Sequence, residues 1–157
     1  MKLLVTGGAG FIGSHLVDRL LDLGHQVVCV DNFLLGSDKN LTNAMKSKAF
    51  RFCKQDILDI DPLNDLFEVE NFDLVYHLAA NSDIKEGIKS TSRDLDHTFH
   101  TTYNVLECMR RNKVDKILFT SSSTIFGAHE GNMKEDLPAN PESLYGASKL
   151  ASESYIR

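Results

Sequence analysis

The chain is poor in the residues that mark several classes of protein. Its 157 residues include no tryptophan, three prolines and three cysteines. Cys29, Cys53 and Cys108 are odd in number and lack C-x-x-C spacing, so they do not indicate a disulfide framework. The six histidines form no close cluster with cysteines or carboxylates at the spacings of metal sites, and we expect no metal. The cysteines are most simply interpreted as buried thiols in a reducing compartment, so we expect a cytoplasmic protein.

Long runs of basic or of apolar residues are also missing. The net charge is −5 and no basic run is present, which argues against a nucleic-acid partner. No apolar run is long enough to span a bilayer, so we expect no membrane association. The apolar fraction of 42% is ordinary for a globular protein, and the length fits one domain covering residues 1–157.

A strand that runs into a glycine-rich turn opens the chain. Residues 2–6 are strand formers, and Gly7, Gly8, Gly10 and Gly13 follow them before a helical pattern begins. The glycines fit G-x-G-x-x-G from Gly8 or G-x-x-G-x-x-G from Gly7. Such a turn lets a pyrophosphate approach the main chain at the N-terminus of a helix. This order of elements predicts a dinucleotide-binding site.

The following segments support that prediction. A helical pattern over 12–23 stops at Gly24, and a second strand over 26–30 ends in Asp31. Asp31 lies 18 residues after Gly13, close to where a carboxylate meets the adenosine ribose. A carboxylate there repels a 2′-phosphate, so NAD is favoured over NADP.

Strands and helices continue to alternate along the chain. Further strands are predicted at 50–53, 72–78 and 116–120, and helices at 38–46, 62–70, 93–112 and from residue 144 to the C-terminus. This alternation indicates an α/β protein with a doubly wound parallel sheet. The expected strand order is 3-2-1-4-5, with ligands bound over the carboxyl ends of the strands.

A tyrosine and a lysine four residues apart stand near the end of the chain. Tyr145 and Lys149 share one face of the last predicted helix. An ammonium beside a phenol favours the phenolate and lowers its pKa, which suits a tyrosine that exchanges protons with a substrate hydroxyl. The spacing alone is common on solvent-facing helices. The nucleotide fingerprint and the serines at 121–123 make a catalytic role the better interpretation.

Six segments together resemble one protein family. They read TGGAGFIGSHLVDRLL, VDNF, QDILD, HLAA, FTSSSTIFG and YGASK. The chain resembles the N-terminal half of the extended short-chain dehydrogenases/reductases, and among them the NAD-dependent nucleotide-sugar epimerases and dehydratases. This resemblance implies a Rossmann fold, NAD as cofactor and a nucleotide-diphosphate sugar as substrate.

The resemblance also assigns roles to individual residues. The implied NAD contacts are Gly7, Gly10, Phe11 and Ile12 at the pyrophosphate, Asp31 and Asn32 at the adenosine ribose, Asp56 and Ile57 beside the adenine, and Leu78, Ala79 and Ala80 near the centre of the cofactor. Tyr145 would be the catalytic base, and Ser122 would share a hydrogen bond with the reacting oxygen. Lys149 would bind the nicotinamide ribose and tune Tyr145.

The chain departs from the family pattern at two places. Sugar-nucleotide 4,6-dehydratases carry an Asp-Glu pair where this chain has Ser123 and Thr124, so dehydration is not expected. His97 and His100 lie in a segment where the family has an Asn-rich run, and an Asn near His97 often supports the active site. We interpret both histidines as packing or interface residues, because no carboxylate partner is evident for His97.

The chain ends inside the Tyr-x-x-x-Lys helix, where family members continue into a substrate-binding domain. We therefore expect an N-terminal portion that is inactive by itself, within a parent epimerase that forms a homodimer through the helices at 93–112 and at Tyr145. One alternative is a non-catalytic NAD-binding module or an inactive fragment. Another is an NAD-dependent dehydrogenase, reductase or decarboxylase of the same superfamily.

Overall fold

The computed structural model describes residues 1–129 and 131–157, apart from the side chains of residues 84, 86 and 88. The strands are β1 (Lys2–Thr6), β2 (Gln26–Asp31), β3 (Phe50–Lys54), β4 (Leu74–His77) and β5 (Ile117–Phe119). The α-helices are α1 (Phe11–Asp22), α2 (Ile60–Glu70), α3 (Ile84–Lys89), α4 (Thr91–Asp94), α5 (Thr101–Arg111) and α6 (Leu144–Ile156). Single turns of 3₁₀-helix cover Asp38–Leu41, Ala44–Lys46 and Ser123–Phe126, and Leu95–His100 is π-helical.

The sheet confirms the predicted strand order. Its five strands run β3-β2-β1-β4-β5, and all neighbouring pairs are parallel. Leu3 of β1 pairs with Val27 on one side and with Leu74 on the other, so β1 is central. The carboxyl ends of all strands therefore meet at one edge of the sheet, where the glycine-rich turn begins.

Two predicted helices differ from the structure. The segment predicted as a helix over 38–46 forms two separate 3₁₀ turns, because the Thr42 hydroxyl donates to the Lys39 carbonyl and competes with a helical ladder. The helix predicted over 93–112 divides into α4, the π-helical segment and α5. There the Thr98 carbonyl accepts hydrogen bonds from the hydroxyls of Thr101 and Thr102, which disturbs regular α-helical pairing.

The chain forms two compact units. The first contains Met1–Ala79 and Asn104–Phe119, and the second contains Ala80–Tyr103 and Thr120–Arg157. The first unit holds the whole sheet. None of the helices in the described part of the chain combines the length and the apolar character needed to cross a bilayer.

The core of the first unit covers both faces of the sheet. On one face, buried side chains of β1, β2 and β4 pack with those of α2 and α5, including Leu4, Val28, Val75, Phe67 and Val105. On the other face, side chains of β1 and β2 pack with α1, including Leu3, Val5, Val27, Val17 and Leu20. Alternation along β1 sends Leu3 and Leu4 to opposite faces, as expected for a strand covered on both sides.

In the second unit, α6 is the central element. It packs against α3, α4, the π-helical segment and the 3₁₀ turn Ser123–Phe126. The Ser152 hydroxyl of α6 is fully buried and lies 3.2 Å from the hydroxyl of Thr102. The side chain of Ser143 caps the helix by accepting the Gly146 N–H at 3.0 Å.

Candidate functional site

Close approach of two backbone segments explains the first glycines of the turn. Gly7 has a φ of +70°, and a Cβ at this position would lie 2.7 Å from the backbone nitrogen of Ala79. A Cβ on Gly13 would overlap the carbonyl oxygen of Gly7. Both positions therefore require glycine for the turn itself, whatever the turn binds.

The N-terminus of α1 is open for an anion. Gly10 is the N-cap residue, and the Ser14 N–H donates to its carbonyl at 3.0 Å as the first bond of the helical ladder. The N–H groups of Phe11 and Ile12 precede that bond and belong to the unpaired first turn of a helix. Both side chains are exposed. Free N–H groups and the helix dipole at this end suit a pyrophosphate.

Asp31, at the end of β2, joins the turn to the next loop. Its carboxylate accepts the Ala9 N–H at 3.0 Å and the Phe33 N–H at 2.8 Å. Each carboxylate oxygen retains accepting capacity beyond these bonds, so a ribose hydroxyl remains compatible with the arrangement. The sequence pattern predicted a ribose contact for Asp31 but did not reveal this contact with the glycine-rich turn.

Asn32 and Asp56 come together at the ends of β2 and β3. The Asn32 side-chain amide donates to Asp56 Oδ2 at 2.9 Å, while Asp56 Oδ1 accepts the Leu58 N–H. Ile57 is different, because its side chain is buried in the core beside α2 and α5. Little of the Ile57 side chain is therefore accessible for contact with an adenine.

The end of β4 is fixed by a residue pair that the sequence pattern did not single out. The Thr6 hydroxyl lies 2.6 Å from Nδ1 of the buried His77 and accepts the Ala79 N–H at 3.3 Å. These bonds hold the segment that begins with the half-buried Leu78 and Ala79. Ala80, predicted to lie near the centre of the cofactor, is half-buried and is the first residue of the second unit.

The predicted catalytic residues all lie in the second unit. Tyr145 stands in the first turn of α6 and Lys149 in the next. The Ser122 hydroxyl makes a hydrogen bond with the Tyr145 phenol and accepts two bonds from Thr124, one from its N–H at 3.2 Å and one from its hydroxyl at 2.9 Å. Two hydroxyl groups in direct contact can hold an oxygen of a ligand and pass a proton to it.

Lys149 is the most deeply buried charged group of this cluster. Its side chain is 1% exposed, and its Nζ donates to the Thr120 carbonyl at 2.7 Å. Burial lowers the pKa of this ammonium to about 8. Nζ also lies 5.7 Å from the centre of the Tyr145 ring. The lysine therefore contacts the backbone after β5 and the face of the tyrosine.

The pKa of Tyr145 is raised, which is opposite to the direction expected from the Tyr-x-x-x-Lys spacing. Burial of the phenol is the largest cause, and the negative charge of Asp94 adds to it, while the hydrogen bond from Ser122 opposes both. The Lys149 ammonium donates to the Thr120 carbonyl and lies 5.7 Å from the centre of the Tyr145 ring. Desolvation of the phenolate thus outweighs the neighbouring donor.

The two histidines of the π-helical segment differ in their burial and surroundings. His100 pairs with Asp96 at 3.1 Å on the surface, and His97 is half-buried. Thr98, between them, accepts the Asn81 N–H at 3.2 Å and is fully buried. The sequence pattern placed His97 closest to the position where family members often carry an asparagine that supports the active site. In the structure, it is Thr98 that makes a hydrogen bond with Asn81. Across the described side chains, no group of three histidines, cysteines or acids could hold a metal ion.

Comparison with known proteins gives a consistent result along the whole chain. The family described as the NAD dependent epimerase/dehydratase family matches residues 3–157. A UDP-glucose 4-epimerase of Mycolicibacterium smegmatis is 40% identical over 99% of this chain and 50% of its own length. A putative UDP-glucose 4-epimerase of Methanocaldococcus jannaschii is 37% identical over 99% of this chain and 50% of its own length.

Solved structures of similar proteins share the fold. The UDP-Glc/GlcNAc 4-epimerase of Campylobacter jejuni superposes with a TM-score of 0.93 at 32% identity, over 98% of this chain and 47% of its own. The UDP-glucose 4-epimerase of Thermus thermophilus, solved in complex with NAD, gives 0.91 at 35% identity, over 99% of this chain and 50% of its own. This chain therefore corresponds to an N-terminal portion of these proteins.

Proposed function

The chain belongs to the NAD-dependent epimerase/dehydratase family, and from that premise we propose that the protein of which it is part is an NAD-dependent epimerase of nucleotide-diphosphate sugars. Tyr145 would be its catalytic base. The observation that carries this proposal is the hydrogen bond between Ser122 and Tyr145, with Lys149 on the next turn of the same helix.

The residues at the strand ends of the first unit fit NAD. The glycine-rich turn leaves no side chain between a pyrophosphate and the N–H groups that begin α1. Asp31 and Asn32 offer acceptors and an amide for ribose hydroxyls, and a carboxylate at position 31 disfavours the 2′-phosphate of NADP. Asp56, which accepts a hydrogen bond from Asn32, would lie beside the adenine. In the second unit Lys149 would bind the nicotinamide ribose.

NAD, held by the strand-end residues of the first unit and by Lys149, would supply reversible hydride acceptance at one sugar carbon. Tyr145 would take the proton of the hydroxyl on that carbon and later give it back, so the reaction has no net redox change. Ser122 would hold the same oxygen through a hydrogen bond. A general base works best when its pKa lies near the working pH, so the raised pKa of Tyr145 in this chain has to fall for the phenol to act as the base.

The proposal of a nucleotide-sugar substrate is supported by the similarity of this chain to known epimerases. The relatives named above carry UDP-glucose or UDP-GlcNAc epimerase activity in their names, and this chain covers about half of their length. Ser123 and Thr124 stand where the 4,6-dehydratases have carboxyl groups, and neither can supply an acid for dehydration. Epimerisation is therefore the family activity that these residues support best.

The test uses the protein as encoded, incubated with NAD and a panel of nucleoside-diphosphate sugars. Proton NMR is expected to show conversion of one sugar into its epimer, without accumulation of NADH at 340 nm. NADH formed in step with product would indicate a dehydrogenase, and released carbon dioxide a decarboxylase. NAD binding by calorimetry with no turnover across the panel would support a binding module. Residues 1–157 alone are expected to be inactive.

We also propose that the encoded protein is a homodimer. In the second unit, Leu95, Tyr103 and Tyr155 are exposed apolar side chains of the helices that pair in many family members. Phe99 meets Tyr155 edge to face with ring centres 5.0 Å apart, so the π-helical segment and α6 present two aromatic rings together. A second copy of the chain is the expected occupant.

A further inference from the structure

Asn104 is a buried polar residue to which neither the sequence pattern nor the family resemblance assigned a role. It lies on α5, in the first unit, and is 9% exposed. Its side-chain amide donates to the Ile57 carbonyl at 2.9 Å and to the Leu58 carbonyl at 3.0 Å. An amide nitrogen carries two hydrogens, and these two bonds engage both of them. Hydrogen bonds therefore tie α5 to the loop that follows β3.

The peptide group between Ile57 and Leu58 connects Asn104 to Asp56. Its carbonyl accepts a hydrogen bond from Asn104, and its N–H donates to Asp56 Oδ1 at 2.9 Å. A trans peptide group is planar, with its C=O and N–H pointing in opposite directions. Holding the carbonyl on α5 therefore fixes the direction from which the N–H meets the carboxylate.

The second oxygen of Asp56 reaches the end of the neighbouring strand β2. Asp56 Oδ2 accepts a hydrogen bond from the Asn32 side-chain amide at 2.9 Å, and Asn32 Oδ1 accepts the Leu34 N–H at 2.8 Å. Both carboxylate oxygens are thus held, one by the peptide group that Asn104 binds and one by Asn32. A continuous set of hydrogen bonds runs from α5 to the loop that follows β2.

The surroundings of this peptide group restrict alternative arrangements. Ile57 is 6% exposed and packs in the same core as Val105, the neighbour of Asn104 on α5. A buried carbonyl that loses its donor is destabilised until the backbone turns to find another one. Because such a turn carries the attached N–H away from Asp56, we expect loss of the Asn104 amide to be transmitted to the carboxylate.

We propose that Asn104 is a positioning residue for the adenosine half of NAD: it holds the peptide group that orients Asp56, and through Asp56 it orients Asn32. This inference rests on the proposed function, in which Asp56 lies beside the adenine and Asn32 beside the ribose of that half. Asn104 itself contacts neither the cofactor nor the substrate in this scheme. A different residue, Lys149, is assigned to the nicotinamide half.

The test compares Asn104→Leu, which keeps the size of the side chain but removes the donor, with Asn112→Leu. Asn112 follows α5, and its amide likewise donates two hydrogen bonds, to the Asn64 side chain at 3.1 Å and to the Cys108 carbonyl at 2.8 Å. Both variants are made in the protein as encoded, and calorimetry gives the Kd of AMP and of nicotinamide mononucleotide.

The two halves of the cofactor are expected to respond differently. In Asn104→Leu the Kd for AMP should rise about tenfold, while the Kd for nicotinamide mononucleotide should not change. In Asn112→Leu both values should match those of the unmodified protein, even where stability falls. An unchanged Kd for AMP in Asn104→Leu overturns the inference, and so does an equal loss of affinity for both mononucleotides.

The Leu58 amide provides a second readout that requires no ligand. In ¹⁵N-labelled protein, the resonance of this N–H is expected to shift, and its exchange with solvent to become faster, in Asn104→Leu but not in Asn112→Leu. A general loss of stability would accelerate exchange throughout the first unit instead. An unmoved Leu58 resonance in Asn104→Leu would show that the amide does not act on the bond to Asp56 and would overturn the proposal.

Should Asn104→Leu not fold, Asn104→Ser provides the decision, because a hydroxyl donates one hydrogen bond where the amide donates two. The Kd for AMP is then expected to rise, and a value equal to that of the unmodified protein overturns the proposal.

These measurements do not depend on turnover, so the two proposals can fail separately. A selective loss of AMP affinity in a protein that converts no nucleotide sugar would refute the proposed epimerisation and support the role of Asn104. Epimerase activity with unchanged AMP affinity in Asn104→Leu would refute the role of Asn104 alone. An unmodified protein that binds neither AMP nor NAD would overturn both.

Discussion

The carboxylate of Asp31 accepts the backbone N–H of Ala9 at 3.0 Å, so the acid at the end of β2 is bonded directly to the glycine-rich turn after β1. A second bond, from the Phe33 N–H at 2.8 Å, fixes the other carboxylate oxygen. Asp31 therefore shapes the turn as well as offering acceptors to a ribose. Its substitution is expected to affect both.

The first prediction concerns Asp31→Ala. Loss of an acceptor that serves charged hydrogen bonds costs about 1.5–3 kcal/mol, so the Kd for NAD should rise by roughly 10- to 100-fold in calorimetry. Asp31→Asn, which retains one acceptor oxygen, should lose less. The preference for NAD over NADP should shrink in both variants, because the repulsive charge is gone. Asp22→Ala, at the exposed end of α1, is the control. A preference for NADP in the unmodified protein would overturn the assignment.

The second prediction distinguishes a glycine that the fold requires from a glycine whose lack of a side chain leaves room for the ligand. Gly13→Ala places a Cβ against the Gly7 carbonyl and should lower the free energy of unfolding, measured in urea. Gly10→Ala meets the same carbonyl at 3.3 Å, with an ordinary φ of −73°, and should fold nearly normally. Gly10→Ala should nevertheless weaken NAD, because its methyl group lies where the pyrophosphate approaches α1. Equal loss of stability in both variants would contradict this division.

The third prediction concerns proton transfer. Tyr145→Phe removes the phenol oxygen and should lower kcat by about 10²–10⁴-fold, with NAD binding nearly intact. Ser122→Ala should lower kcat less, since Tyr145 remains. The control is Tyr155→Phe, an exposed tyrosine on the same helix, which should leave kcat unchanged. Near-normal turnover of the true nucleotide sugar by Tyr145→Phe would mean that another residue carries the proton.

The fourth prediction is a pH dependence of stability caused by Lys149. Its pKa is about 8 in the folded protein, against about 10.4 in an unfolded chain. Between these values the unfolded chain binds the proton and the folded protein does not, so this group makes the free energy of unfolding rise with pH. Buried thiols and Tyr145, whose pKa values are raised, have the opposite effect at high pH.

A difference curve isolates the lysine from those groups. The free energy of unfolding of the unmodified protein, minus that of Lys149→Met, should rise from about pH 8 to about pH 10.4, because the other groups cancel. Lys116→Met, at an exposed position, should give a flat difference. A flat curve for Lys149→Met as well would mean that burial does not perturb this ammonium.

The fifth prediction addresses the proposed dimer. Tyr103→Glu places a charge on the exposed apolar surface of the second unit and should convert the encoded protein from dimer to monomer in light scattering. His100→Glu alters an exposed polar position nearby and should leave the mass unchanged. A monomer at high concentration in the unmodified protein would remove the basis for this prediction.

Much of the fold could be predicted because it depends on short-range patterns. The strand of residues 2–6, the glycines after it and the regular alternation of strands and helices indicated a parallel sheet with strand 1 at its centre, and the structure confirms the order. The spacing of Tyr145 and Lys149 placed both on one helix, which α6 also confirms. The segments at 38–46 and 95–100 could not be predicted as they are, because threonine side chains there compete for helical carbonyls.

What the sequence by itself determined is therefore the framework: the βα order, the glycine-rich turn and the placement of Tyr145 and Lys149 on one helix. The tertiary structure decided how those groups behave. The direction of the Tyr145 pKa depends on burial and on Asp94, which lies 51 positions earlier in the chain. Desolvation and charge act through space, so they depend on which distant segments pack together and not on local spacing.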